Sequence, residues 1–143
     1  MIINFHPSEI PSQSCIKIIA ELVEQNPSET VIMPNDKTSQ EWQNIIKSDE
    51  SITMIAPTYW WGIGYEFDKW LQSVFAYNFA FSYDTGAKVG LLDGREFNIT
   101  LTHGTPEIYA GEMKQNITDR LQKGIFGYCD AKINVNFVDT SKK

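Results

Sequence analysis

Three clusters of polar and aromatic side chains each follow a short apolar run, which is where a ligand would meet the end of a buried strand. The first cluster, at 6–14, is rich in serine, the second, at 57–62, has three consecutive aromatic residues, and the third, at 102–106, combines hydroxyl groups, an imidazole and a glycine. The candidate ligand-binding residues are His6, Ser12 and Ser14, then Pro57, Thr58, Tyr59, Trp60 and Trp61, then Thr102, His103, Gly104 and Thr105.

The serine-rich cluster suits an anion. A helical pattern begins just after these serines, and backbone N–H groups at a helix start, together with nearby hydroxyls, favour a phosphate. Capping of the helix by Ser12 or Ser14 explains the same residues equally well. His6 either helps to hold a phosphate or ribityl chain, or only hydrogen-bonds its own loop.

The two later clusters suit a flat ring system. Tyr59, Trp60 and Trp61 directly follow a buried-strand pattern, where core packing no longer accounts for them, and an exposed aromatic cluster indicates function. Backbone N–H groups of such a loop can run along one edge of an isoalloxazine ring while the side chains wall a substrate pocket. Packing of one or two rings on the following helix is the structural alternative. Gly104 allows close backbone approach, and the hydroxyls beside it suit the pyrimidine edge of a flavin.

Composition argues against several other functions. The formal net charge is −6 and no cluster of Lys and Arg is present, so nucleic acid is not the expected partner. Cys15 and Cys129 are far apart and lack a metal-ligand spacing, so we expect neither a metal site nor a disulfide framework. No apolar run is long enough for export or membrane insertion, so we expect a cytoplasmic protein.

Periodicity predicts a single α/β domain over residues 1–143. Short apolar runs predict five strands, and helical spacing predicts four helices. The strands are expected at 2–5, 30–33, 52–56, 97–101 and 133–137, and the helices at 15–23, 39–46, 67–75 and 113–121. This alternation is typical of a doubly wound, five-stranded parallel sheet with helices on both faces. In such a sheet the loops after the first, third and fourth strands should converge on one site.

Nearly the whole chain resembles one family, the NAD(P)H:quinone oxidoreductases of the flavodoxin-like superfamily. The bacterial branch of that family includes ancillary flavoproteins of potassium-efflux systems and drug-activity modulators. The segments that carry the likeness are APTYWWG at 56–62, FDKWLQSVFAY at 67–77, FAF at 79–81, LLDGR at 91–95 and TLTHGTPEIY at 100–109. His6-Pro7 and Ser12 are similar to the first loop of the family.

The resemblance implies a flavodoxin-like fold that holds FMN, or FAD, and uses NAD(P)H as co-substrate. A hydride would pass from NAD(P)H through the flavin to a quinone or similar acceptor in a ping-pong sequence. Tyr109 matches a family tyrosine near the flavin edge and is either a group that assists proton transfer or a structural hydroxyl.

The resemblance also implies a homodimer with 67–77 and 79–81 at the interface. The rings of Tyr77, Phe79 and Phe81 alternate with Asn78 and Ala80, and they are more numerous than an exposed monomer surface usually carries.

Two other functions stay open. A flavodoxin-type electron carrier would suit the length and acidity of the chain, although the usual Ser/Thr-x-Thr-Gly-x-Thr phosphate loop is absent after the first strand. A flavin-free regulatory or binding module of the same fold is the other. Cys15 stands where the family usually has Asn, and His103 and Thr105 depart from its flavin loop, which motivates this third possibility.

Overall fold

Strands and helices alternate along nearly the whole chain. The computed structural model describes residues 1–6, 13–49, 51–84 and 86–141. The strands are β1 Ile2–Asn4, β2 Val31–Ile32, β3 Ser51–Pro57, β4 Phe81–Asp84, β5 Ala87–Gly90, β6 Glu96–His103 and β7 Lys132–Asp139. The α-helices are α1 Gln13–Gln25, α2 Ser39–Ser48, α3 Tyr65–Val74 and α4 Glu107–Asp119. Short 3₁₀ turns lie at Pro34–Asp36 and Gly127–Cys129, and α4 runs into a π-helical segment at Arg120–Ile125. All five predicted strands and all four predicted helices are present.

Five of the strands form one parallel sheet in the order β2-β1-β3-β6-β7. From β1 the chain moves outward to β2, and it then crosses back over β1 to build β3, β6 and β7 on the other side. The direction of travel therefore reverses between β1 and β3. In open α/β sheets this reversal leaves a crevice at the carboxyl ends of the strands, where ligands bind. The prediction of a doubly wound, flavodoxin-like sheet is confirmed.

Helices α2, α3 and α4 cover one face of the sheet. Alternate residues of the central strands, such as Met54 and Ile99, are fully buried in the core on this face. Helix α3 contributes Phe67 and Trp70, because its apolar residues recur at helical spacing along one side. The ring of Phe5 meets both of them edge-on, with centroids 5.3 Å apart in each pair. Much of the aromatic content of the chain is therefore core.

Helix α1 lies on the opposite face, so helices cover both sides of the sheet, as predicted. Successive strand residues point to opposite faces, and Ile55 is accordingly buried on the side away from Met54. Cys15 of α1 is also buried, with its Sγ 3.4 Å from the Oγ1 of Thr102 near the end of β6. This contact fixes the first turn of α1 beside the carboxyl edge of the sheet.

The α1 side of the sheet turns polar toward β7. Asn134 Nδ2 donates to Glu96 Oε1 and to Asn98 Oδ1, at 2.8 Å in each case. Asn98 Nδ2 in turn donates to Ser51 Oγ at 3.2 Å. A ladder of side-chain hydrogen bonds thus crosses β7, β6 and β3 on this face.

Strands β4 and β5 form an antiparallel hairpin that the sequence analysis did not predict. The paired residues extend from Phe81 with Gly90 to Asp84 with Ala87. The hydroxyl of Tyr83, in β4, lies 2.7 Å from that of Tyr128. Phe79, expected on the surface with Tyr77, is instead buried in the core. A turn at Asn78, with φ of 67°, interrupts the alternation that the sequence suggested.

Candidate functional site

The ends of β1, β3 and β6 meet at one edge of the sheet. Phe5 N donates to Ile55 O at 2.9 Å, which ties the end of β1 to β3. Thr58 N donates to Thr102 O at 2.8 Å, which ties the loop after β3 to the end of β6. The three clusters singled out in the sequence therefore begin at three neighbouring strand ends, as the topology predicts.

The aromatic cluster forms a tight hairpin turn. Tyr59 N donates to Gly62 O at 2.9 Å, and Gly62 N donates to Tyr59 O at 2.8 Å. The two residues between them, Trp60 and Trp61, both have left-handed backbone, with φ of 52° and 58°. Positive φ at both central positions is the geometry of a type I′ turn, which normally takes Asn-Gly.

Left-handed backbone at a bulky residue is unfavourable by roughly 1–2 kcal/mol per residue. Burial does not offset this cost at Trp60, which is fully exposed, and Trp61 and Tyr59 also keep 40% and 46% of their surface exposed. Exposed rings held on a strained turn at the ligand-binding edge of the sheet point to a role outside folding.

Thr58, immediately before the turn, has a buried hydroxyl. Its Oγ1 has no hydrogen-bond partner within the described residues. A buried hydroxyl without a partner is unfavourable by about 1–3 kcal/mol, so an acceptor or donor supplied by a ligand would stabilise it. Pro57, the last residue of β3, pairs with Thr102 in the sheet and is itself buried, so it supports the turn rather than lining open space.

The third cluster divides between the two faces of the sheet. Thr102 faces α1, where its hydroxyl contacts Cys15. His103 is one residue further on and faces the other way, with its ring centroid 6.2 Å from that of Phe137. Both side chains are buried. The two side chains are therefore not brought together, although the sequence places them next to each other.

Gly104 and Thr105 continue the third cluster into the open edge. Gly104 is exposed, and a Cβ built on it would meet no atom within 4 Å. Its backbone is thus open to close approach by a flat ring. Thr105 is half-buried beside it. These two residues have the access that a bound ligand requires, whereas the side chains of Thr102 and His103 lie beneath the surface.

The first cluster is described only in part. His6 is buried directly after β1, and its N–H donates to Asn4 Oδ1 at 2.9 Å. Ser12 lies outside the described residues. Helix α1 begins at Gln13, so Ser14 is inside the first turn and is not its cap; the side chain of Ser14 is also outside the description. No acidic residue stands in this first turn, which leaves the positive end of the helix dipole available to an anion.

Tyr109 lies in the first turn of α4, at the same carboxyl edge of the sheet. Its side chain is exposed, and its N–H donates to Pro106 O at 2.9 Å. The neighbouring Ile108 is also exposed. Sequence reasoning missed Ile108, because an isolated isoleucine in a helix is expected to be core. Together these two side chains add apolar surface near the third cluster.

The described residues contain no group of three His, Cys, Asp or Glu side chains placed to bind a metal ion. Burial raises the pKa of the Cys129 thiol to about 11, so this cysteine stays protonated and unreactive near neutral pH. Among the described helices, none has the length and apolar character needed to cross a bilayer.

Residues 1–138 match the sequence model of a family described as having a flavodoxin-like fold. A protein from Haemophilus influenzae, described as an uncharacterized NAD(P)H oxidoreductase, is 29% identical over 108 residues, which are 74% of this chain and 52% of that protein. The chain therefore spans about half the length of this relative.

Solved structures with the same fold extend over almost the whole chain. An NADPH-quinone reductase from P. pentosaceus superposes with a TM-score of 0.71 at 18% identity, covering 96% of this chain and 83% of that one. General stress protein 14 from Treponema denticola, in complex with FMN, has a TM-score of 0.70 at 20% identity and covers 99% of this chain and 86% of that one. These likenesses establish the fold.

Proposed function

The chain belongs to the family of proteins with the flavodoxin-like fold, and we propose that it is a flavin-dependent NAD(P)H:quinone oxidoreductase with FMN as its cofactor. The observation that carries the proposal is the strained, exposed Trp60–Trp61 turn beside the unpartnered hydroxyl of Thr58. Both lie where three strand ends meet, at the reversal of strand order, which is the ligand-binding position of this architecture.

The residues at this edge fit a flavin in three respects. The start of α1, with no acidic residue in its first turn, suits the phosphate, to which Ser12, Ser14 and His6 are the proposed additional donors. The N–H groups of Trp60 and Trp61, which donate to no backbone acceptor among the described residues, suit one edge of the ring system. Gly104 leaves room for the pyrimidine edge to approach the backbone, with Thr105 beside it.

When bound, the flavin would supply the hydride chemistry, accepting from NAD(P)H and delivering to a quinone or similar acceptor that binds in turn at the same place. The protein's own contribution is orientation and exclusion of water. The rings of Tyr59, Trp60 and Trp61 can cover one side of a flat substrate and keep solvent from it. Tyr109, exposed at the same edge, is the proposed group for proton assistance.

Similar proteins support the choice of cofactor and substrates. The Haemophilus influenzae relative is described as an NAD(P)H oxidoreductase, the P. pentosaceus structure as an NADPH-quinone reductase, and the Treponema denticola structure contains FMN. FMN is preferred to FAD because we identify no segment of the sequence that would cradle an adenosine half.

We also propose a homodimer in the cytoplasm. An aromatic surface formed by Tyr77, Phe81, Tyr83 and Tyr128 supports the dimer: Tyr77 and Tyr83 are exposed, and the four rings contact one another at centroid distances of 5.6–6.2 Å. Sedimentation velocity at micromolar concentration should give a dimer. A monomer there would contradict this part of the proposal, and fractionation of cells would test the location.

The experiment begins with purified protein titrated with FMN. Binding should quench flavin fluorescence, and the loaded protein should oxidise NADPH or NADH in the presence of a benzoquinone. The double variant Trp60→Ala/Trp61→Ala should lose most quinone turnover, whereas Val31→Ala, which changes an exposed apolar residue at the amino end of the edge strand β2, should behave like the parent protein.

Two outcomes would overturn the proposal in favour of its rivals. Flavin binding without any oxidation of NAD(P)H would indicate an electron carrier. Protein that stays colourless after incubation with both FMN and FAD would indicate a flavin-free binding module.

A further inference from the structure

A cavity of about 260 Å³ lies between the start of α2 and the middle of α3. None of the residues in its wall belongs to the three clusters at the candidate flavin site. The wall residues that matter for its chemistry are Lys37, Ser39, Trp42, Glu66, Lys69 and Trp70. Lys37 and Lys69 thus line the same cavity although they are far apart in the sequence. A search of the sequence for clustered basic residues could not find this site.

Trp70 gives this cavity an unsatisfied donor. The residue is 3% exposed, and its indole Nε1 is buried with no hydrogen-bond partner within the described residues. The adjacent Trp42 provides the contrast, because its Nε1 donates to Pro34 O at 2.8 Å. Leaving a buried N–H without an acceptor is unfavourable by about 1–3 kcal/mol, so a small rotation of the ring that brings Nε1 to an acceptor in the cavity would stabilise Trp70.

The charges of the wall favour an anion. None of the ion pairs found among the described residues involves Lys37 or Lys69; the Lys69 ammonium instead lies 6.0 Å from the ring centroid of Tyr65. Among the described residues, Glu66 is the one carboxylate in the wall. Glu41, in the first turn of α2, accepts from Thr38 N at 3.2 Å and its charge acts on Lys37, so a bound anion would share Lys37 with this carboxylate.

Helix α2 adds donors at the same place. Its cap, Thr38, accepts from Glu41 N at 3.2 Å, and the N–H groups of the two residues between them belong to the first turn, which lacks intrahelical acceptors. Ser39, in that turn, also contributes its hydroxyl to the wall. Cations, hydroxyl and amide donors together match the oxygens of a phosphate.

We propose that this cavity binds the phosphate monoester group of a small molecule, with Lys37 and Lys69 as its counter-charges and the Trp70 indole as a hydrogen-bond donor. Two sources share this chemistry. One is the adenosine 2′-phosphate of NADPH, an identification that rests on the proposed function. The other is a free phosphorylated compound or inorganic phosphate.

The test is a ¹H–¹⁵N NMR titration of flavin-free, ¹⁵N-labelled protein with adenosine 2′,5′-bisphosphate and, separately, with inorganic phosphate. The indole N–H signal of Trp70, assigned with Trp70→Phe, should move downfield and saturate. The Trp42 signal should move little, since its donor is already engaged. Because no flavin or turnover is needed, the result stands whether or not the redox proposal holds.

Two charge variants make the test independent of the core substitution. Lys37→Gln and Lys69→Gln should each weaken binding by about tenfold, the loss of roughly one charge-assisted hydrogen bond. Lys17→Gln on α1, which removes an equal charge from an exposed position away from the cavity, should bind as the parent does.

Tighter binding of the bisphosphate than of phosphate identifies the NADPH group, and equal binding identifies free phosphate. If neither probe shifts Trp70, or if the two lysine variants bind like Lys17→Gln, the proposal is wrong, and the cavity holds only water.

Discussion

The four tryptophans form two pairs with opposite environments. Trp42 and Trp70 are 1% and 3% exposed, and their rings meet edge-on at 6.1 Å in the core between α2 and α3. Trp60 and Trp61 are 101% and 40% exposed and stand on a left-handed turn. Hydrophobic burial explains the rings of the first pair, although it leaves the Trp70 Nε1 without a partner among the described residues. It explains almost nothing about the second.

The difference separates two reasons for a sequence to be rich in aromatic residues. The buried pair stabilises the fold, since large rings bury the most apolar area. Among the described residues the exposed pair is covered far less than the buried pair, and it sits on backbone that is itself unfavourable. Strain of this kind persists where function requires it, so changes at the two pairs should have opposite effects on stability.

The largest effect is expected at the buried pair. Trp42→Ala should lower the free energy of unfolding by about 3–5 kcal/mol, because it opens a cavity and removes the donor to the Pro34 carbonyl. Urea unfolding followed by circular dichroism would measure this. The matched control is Trp60→Ala, which should leave the free energy of unfolding unchanged or slightly higher. Equal losses in both variants would contradict the distinction between the pairs.

Relief of the strained turn should give the next largest effect, with opposite sign. The double variant Trp60→Asn/Trp61→Gly introduces the preferred type I′ sequence and should raise the free energy of unfolding by roughly 1–3 kcal/mol. Quinone turnover of the FMN-loaded protein should fall in the same variant. A stabilised protein with full turnover would show that the rings serve no purpose at the site.

A smaller effect, confined to binding, is expected at Gly104. Gly104→Ala should change the free energy of unfolding by less than about 0.5 kcal/mol, because the new methyl group meets open space. FMN affinity should fall by about tenfold or more, or 1.4 kcal/mol, if a flavin approaches this backbone. Gly111→Ala on α4, which also meets open space, is the control and should bind FMN normally in a fluorescence titration.

The smallest effect concerns the helix that carries Trp42. Hydrogen bonds from the backbone and hydroxyl of Thr38 hold the pKa of Glu41 below its ordinary value of 4.5. Since the folded pKa is lowered, the stabilisation is present above pH 4.5 and is lost as pH falls through the lowered value. The free energies of unfolding of the parent and Glu41→Gln should therefore differ at pH 7 and converge in acid. A difference that persists at low pH would exclude the carboxylate as its source.

Much of the fold could be predicted because local periodicity and global topology agree. An apolar run such as 52–56 is typical of a strand that is buried on both faces of a parallel sheet. The spacing of apolar residues in 67–75 is typical of a helix with one apolar face. The hairpin of β4 and β5 was missed because its residues alternate weakly and depend on tertiary contacts such as Tyr83 with Tyr128. The π-helical turn before Phe126 was missed for a similar reason, since one i→i−5 bond to Leu121 carries no sequence signal.

The candidate site could be predicted only as far as chain order determines position. From the predicted parallel sheet it followed that 57–62 and 102–106 lie at the ends of neighbouring strands. The two faces of the third cluster follow from strand alternation at Thr102 and His103, which the sequence analysis did not apply beyond the predicted end at Leu101. Lys37 and Lys69 line one cavity only because α2 packs against α3. The sequence alone does not show how two helices pack.

The face of the sheet that carries the hydrogen-bonded ladder of Asn134, Asn98 and Ser51 is suitable for attaching a label. These amides already satisfy one another, and hydrophobic contact contributes little there. A fluorophore or surface linker attached on that side, at the exposed Lys132 for example, would stand at the amino end of β7, away from the carboxyl edge and on the face opposite α2 and α3. Ligand binding at that edge or between those helices could then be followed on an immobilised or labelled molecule without altering what is being measured.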